Sequence, residues 1–230
     1  LISSSTINAD EAVVYGAMIQ GQIVTQRRDD VIICFDSTPL SLGLETVGGL
    51  MQVLIPRGLF IPSKRSQIFT TSTDNQEKVF IKVYQGLRLF AKDNQLLTTI
   101  EFENITRSPR GSPQIEVSFE IDIDNVLIVN IGEKNTQNSK TVTIPSQQTR
   151  FTFDEVDEAF EAAAKAADED KHKFEWIELQ QMIDNYVYVV RNVLNDKAIQ
   201  IGNEDRRKLE TIANEIIEWR ELNQNADLDL

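Results

Sequence analysis

Few residues in this chain have the chemistry for catalysis, and they stand apart. Its one cysteine, Cys34, lies in the apolar run "DVIICFD", and its one histidine, His172, lies in an acidic stretch. One Cys and one His exclude an internal disulfide and argue against a zinc site. No G-x-x-x-x-G-K-[ST] loop is present, and the glycines of "LGLETVGG" have no basic neighbour to meet a phosphate. No G-x-S-x-G elbow or metal-binding His pair occurs. Paired acids such as Glu101/Glu103 and Glu116/Glu120 fall on the polar side of alternating segments, so they read as solvated surface. Cys34 reads as an apolar filler and His172 as part of a solvated helix. On these residues alone the chain is expected to be no enzyme.

The elements around them fall into three styles. Residues 8–24 read as a helix: Asn8 is a good N-cap, Glu11 follows three residues later, and Ala12, Tyr15, Ile19 and Ile23 share a face. A polar stretch and the apolar run 30–36 come next. From about residue 38 to 150 the period becomes two. In "PQIEVSFEID" Ile115, Val117, Phe119 and Ile121 face one way. Residues 66–73, 78–86, 96–103 and 126–131 read as further strands, with turn signals between them. A two-residue hairpin turn is expected at Asp124-Asn125. Many short strands at this spacing predict an antiparallel β-sandwich. After Arg150 the pattern is helical. Thr152 and Glu155 form a capping box, and more than 40 residues follow with no Pro or Gly, which predicts one long helix or two nearly continuous ones. Gly202 breaks the run before a last helix carrying Leu209, Ile212, Ile216, Trp219 and Leu222.

Charge divides the chain in the same way. The net charge is −13, and residues 151–230 hold 20 of the 36 acids but 9 of the 23 bases. Such acidity repels a phosphate backbone, so nucleic acid is not an expected partner. No apolar stretch is long enough for a membrane span. The N-terminus lacks the layout of a secretory signal.

From "DSTPLSLGLETVGG" onward the sequence resembles the 70-kDa heat-shock chaperones, in their substrate-binding half. The motifs run in order: "NADEAVVYGA" (8–17), "DVIICFDSTPLSLGLETVGG" (30–49), "LIPRG" (54–58), "IPSKRSQIFTT" (61–71), "DNQ" (74–76), "IKVYQG" (81–86), "KDNQLL" (92–97) and "PRGSPQIEVSFEID" (109–122). In the helical part the likeness narrows to "DNYVY" (184–188) and "IIEWRELNQNAD" (216–227). "ETVGG", "LIPR" and "NQNAD" look most like the family's endoplasmic-reticulum branch, which implies that lumen as the location, with the cytoplasm as the alternative.

The resemblance implies four parts. Residues 1–29 would be the last helix of an absent nucleotide-binding domain plus a polar linker. Residues 30–36 would be the apolar interdomain linker, residues 37–150 a β-sandwich peptide-binding domain, and residues 151–230 a truncated helical lid. It implies a peptide channel lined by Leu44, Thr46, Phe69, Gln76, Val79, Ile81 and Ile115, with Val47 and Ser72 arching over it. Ser72 departs from the family, where a larger or apolar residue is usual. A lid latch would pair Arg110 with Asp184 and Asp74 with Tyr188. The linker would be Val31, Ile32, Ile33, Cys34, Phe35 and Asp36, with five apolar residues between its aspartates where related linkers carry four. The implied function is a chaperone fragment that binds extended apolar segments of unfolded polypeptides. J-domain co-chaperones and nucleotide exchange factors would act through the parent. ATP with Mg would belong to the missing domain, leaving no cofactor and no ATPase activity here. The alternative is a self-associating or co-chaperone interaction module that uses linker and groove.

Overall fold

The computed structural model describes residues 8–25, 36–195 and 202–222. The chain divides into two compact units, Leu1–Asp36 and Ser37–Leu230. In the first unit, helix α1 (Ala9–Val24) starts where the Asn8 carbonyl accepts the amides of Glu11 and Ala12. Its Val13, Val14, Tyr15 and Met18 are exposed. Val31 to Phe35 lie outside the described residues; Asp36 is described and exposed.

The second unit opens with eight strands: β1 (Ser41–Glu45), β2 (Met51–Ile55), β3 (Ser63–Phe69), β4 (Val79–Gly86), β5 (Gln95–Phe102), β6 (Ile115–Ile121), β7 (Leu127–Glu133) and β8 (Ser139–Ile144). They form two four-stranded antiparallel sheets, ordered β2-β1-β4-β5 and β3-β6-β7-β8. Leu42, Ile55, Val83 and Phe102 from the first sheet meet Val117, Phe119, Leu127 and Val129 from the second in one buried core. Alternation explains the arrangement, because period-two apolar residues leave each sheet one face to bury.

Strands β1, β2 and β8 were not expected from the sequence. The β1 segment "SLGLE" is embedded in turn-forming residues, and β8 "SKTVTI" is polar enough to read as loop. The turn after β6 also differs. Ile121 pairs with Leu127, so the loop is residues 122–126 and not a two-residue turn. The Asp122 carboxylate accepts the amides of Asp124 and Val126, and of the two expected turn residues Asn125 alone takes positive φ, +61°. A self-capping aspartate of this kind competes well with a tight hairpin.

A short helix α2 (Ser146–Thr149) leads into α3 (Phe153–Asn195), which runs unbroken for 43 residues, and α4 (Asn203–Leu222) follows. The capping box forms at the start of α3: the Thr152 amide donates to Glu155 Oε2 at 2.7 Å, and the Glu155 amide donates to Thr152 Oγ1 at 3.3 Å. Those hydrogen bonds hold the Glu155 carboxyl below its usual range. Val187, Leu194 and Ala213 are buried, and Trp176 meets Trp219 edge to face at 6.3 Å.

The expected fold class was a peptide-binding β-sandwich with a lid made from a truncated helical bundle, plus a helix left from a nucleotide-binding domain. It is corrected. The described residues form two antiparallel sheets and helices, and α3 has α4 beside it with no bundle around them. The first half of α3 is Ala-rich and acidic, with little large apolar surface to bury.

Candidate functional site

A cavity of about 690 Å³ opens at one end of the two sheets. Each wall comes from a different element. Leu44 lies next to the end of β1, Phe69 ends β3, Val79 and Ile81 lie among the first residues of β4, and Ile115 begins β6. Phe69 and Ile115 are register partners, which fixes that corner. Two turns form the rim, residues 46–49 and 72–76. Thr46 shapes the first: its amide and Oγ1 both donate to the Leu50 carbonyl. Gln76 shapes the second. Its Oε1 accepts the amides of Ser72 and Thr73, and its Nε2 donates to the Lys78 carbonyl at 3.0 Å.

The structure brings all nine sequence-selected channel residues to this cavity: Leu44, Thr46, Val47, Phe69, Ser72, Gln76, Val79, Ile81 and Ile115. Leu44, Ile81 and Ile115 are buried, Phe69 and Val79 half-buried, Val47 and Ser72 exposed. The Gln76 amide group clasps its own turn. The one carboxylate on the lining, Glu45, is balanced by Lys82 Nζ at 3.0 Å and the Tyr84 hydroxyl at 3.1 Å. The Lys82 ammonium is correspondingly held above its usual range, chiefly by the Glu45 hydrogen bond. The lining's one carboxylate is therefore neutralised locally.

Helix α3 crosses this end of the molecule. Arg110 Nη2 donates to the Asp184 carbonyl at 3.3 Å, and the guanidinium stacks 3.5 Å from the centre of the Tyr188 ring. The Tyr188 hydroxyl donates to Asp74 Oδ1 at 3.2 Å, and the same oxygen accepts the Arg110 amide at 2.8 Å. The four sequence-selected latch residues thus meet, with Arg110 reaching the main chain of Asp184 and the ring of Tyr188.

Two further groups were missed. Gln181 Nε2 donates to the Val47 carbonyl at 2.8 Å. Its position three before Asp184 and seven before Tyr188 puts it on the same helical face, so spacing could have found it. Nearer the start of α3, Asp170 is 4% exposed and pairs in a fork with Arg88: Nε to Oδ2 at 2.7 Å and Nη2 to Oδ1 at 2.8 Å. The Arg88 hydrogen bond holds the Asp170 carboxyl below its usual range, against the opposing effect of burial. Sequence gave no signal here, because Asp170 sits in "ADEDKHK", which reads as a solvated face.

Residues 3–229 match the Hsp70 protein family. Over 231 residues the chain is 39% identical to "Heat shock cognate 70 kDa protein 3" of Dictyostelium discoideum, covering 98% of this chain and 37% of that protein. It is 37% identical over 231 residues to "Heat shock 70 kDa protein" of Penicillium citrinum, covering 99% of this chain and 46% of that protein. The chain belongs to the Hsp70 family of chaperones. It spans less than half the length of either relative.

These matches correct three expectations. They run through residues 3–229 as one stretch, and with the two antiparallel sheets and helices they overturn the expected fold class of a peptide-binding β-sandwich with a lid. The same coverage overturns the expectations of no enzyme activity and no cofactor. Those rested on placing ATP chemistry outside the chain, and the matches give no ground for doing so. This cavity does not itself fit a magnesium nucleotide, since no Lys or Arg lines it. Among the described residues no group of three or more His, Cys, Asp or Glu could hold a metal ion.

Proposed function

We propose that this Hsp70-family chain binds extended apolar segments of unfolded polypeptides in the cavity between the 46–49 and 72–76 turns. The observation that carries the reading is the lining: an apolar floor of Leu44, Ile81 and Ile115 beneath polar, self-satisfied rims. An extended segment would satisfy its own amides on the rim backbone, as in strand addition, and that readout is blind to side chains. Selectivity would come from the floor, where burying one Leu side chain contributes about 1.5–3 kcal/mol. Ordering the segment cancels much of this, so affinity would be moderate. Helix α3 would hold the segment by closing over the rim. The chain's sequence motifs favour the endoplasmic-reticulum branch, with J-domain proteins and nucleotide exchange factors as partners of the longer protein.

Fluorescence anisotropy of a labelled Leu-rich heptapeptide tests the reading. Saturable binding by the chain is expected; no change at high micromolar protein rejects it. Val79→Phe is expected to fill the floor and abolish the signal, while the far-UV dichroism stays that of the parent chain.

A further inference from the structure

One face of α3 carries four residues that touch the cavity rim: Ile177, Gln181, Asp184 and Tyr188. Their spacing of four, three and four residues places them in a single line. The line serves two different turns. Asp184 and Tyr188 meet Arg110 and Asp74 on one side of the cavity. Ile177 and Gln181 meet the 46–49 turn on the other.

That second contact is unusually close. Gly48 has φ +86°, and a Cβ added there would lie 2.6 Å from Ile177 Cγ2. Only a residue without a side chain lets the helix come so near in that backbone conformation. One residue back, the Val47 carbonyl accepts the Gln181 amide at 2.8 Å, while the Val47 side chain is 61% exposed at the cavity rim. At the position that arches over the cavity, the turn thus accepts a side-chain donor from α3.

We propose that Gln181 is a positioning residue: by donating to the Val47 carbonyl it fixes the Val47 side of the channel to α3, independently of the Arg110–Tyr188 contact on the opposite side. The carbonyl needs a donor of this reach. Glu at 181 has the same length and a similar helix propensity but offers only acceptors, and its charge faces the carbonyl oxygen. Lys has comparable propensity and donates. A role in bulk or helix stability would treat Gln181→Glu and Gln181→Lys alike, whereas a donor role separates them.

Two measurements on the full chain test this, and only the second rests on the peptide-binding reading. In the ligand-free protein, hydrogen exchange of the amides of residues 46–49 is expected to quicken about three- to tenfold in Gln181→Glu, the span of one net hydrogen bond. In Gln181→Lys it stays within about twofold of the parent chain, and β6 amides change in neither. Release of the labelled heptapeptide is expected to quicken by the same factor in Gln181→Glu alone. Equal exchange in the two variants overturns the positioning role. If the parent chain binds no heptapeptide, the peptide-binding reading falls and the exchange result still decides the role of Gln181. Gly48→Ala gives a second check. It is expected to speed release, and adding Ile177→Ala is expected to recover part of the loss; no recovery removes the close approach from the account.

Discussion

The two-sheet body and the helical segment are held by different forces. In the body, residues such as Phe119, Ile55, Leu127 and Val129 are fully buried, and both sheets contribute to one core. Helix α3 buries little of its length: Asp170, Val187 and Leu194 are its buried residues among those described. It meets the body through polar and ring contacts: Arg88 with Asp170, Gln181 with Val47, Arg110 with Tyr188, and Arg57 stacked 3.7 Å from the Phe160 ring. Apolar burial is non-directional and large, so it keeps the body folded. Charge-assisted hydrogen bonds are directional, and water can replace them, so a helix held by them can be undocked without unfolding what lies beneath.

The two forces should fail separately, and the largest effect tests the body. Phe119→Ala removes a fully buried ring at the centre of the core and is expected to cost about 3–5 kcal/mol. Denaturant titration followed by strand dichroism checks it; a loss below about 1 kcal/mol would mean that the shared core is not what holds the sheets.

The next effect tests the helix. Asp170→Asn breaks the fork with Arg88 and is expected to weaken docking of α3 by about 1.5–3 kcal/mol, the value of a hydrogen bond to a charged group. The chain has two tryptophans, and both, Trp176 and Trp219, lie in the helical segment, so their fluorescence reports on it alone. The tryptophan transition should move and the strand transition should not; an equal shift in both would mean that the helix and the sheets unfold as one unit.

The same pair gives a pH dependence of definite sign. The folded Asp170 carboxyl titrates below its unfolded value of about 3.9, so its contribution is complete above that pH and disappears as pH falls through the lower folded value. Acid titration of tryptophan fluorescence should show this loss in the parent chain and not in Asp170→Asn. The smallest effect is at the rim. Arg110→Ala removes a partly exposed cation–π contact expected to be worth about 0.5–1 kcal/mol. It should quicken peptide release slightly and leave both transitions in place.

What the sequence made legible follows the same division. Strands with strict alternation, such as β6 with Ile115, Val117, Phe119 and Ile121, announce themselves because one face must be buried. β1 and β8 do not, since a five-residue strand among glycines and prolines and a polar edge strand carry no such period. The cavity floor was readable from motifs, and the rim turns with it. The Asp170 fork was not, because an acid in a run of acids and lysines gives no sign that a partner 82 residues away will bury it. The placing of ATP outside the chain came from resemblance alone, and that expectation fell.

The unbroken length of α3 has a mechanical consequence. From Asp170 to Gln181 is about 16 Å along the axis, and to Tyr188 about 27 Å, at 1.5 Å per residue. A rigid rod pinned at Arg88 therefore amplifies a small tilt. Turning it by roughly 6° lifts Tyr188 by about 3 Å, enough to part its hydroxyl from Asp74, while Gln181 rises by only about 1.7 Å. The far end lets go first, and the Val47 side of the channel is the last to be freed. Shortening or kinking the rod between residues 170 and 181 would remove this order without touching a single residue of the cavity.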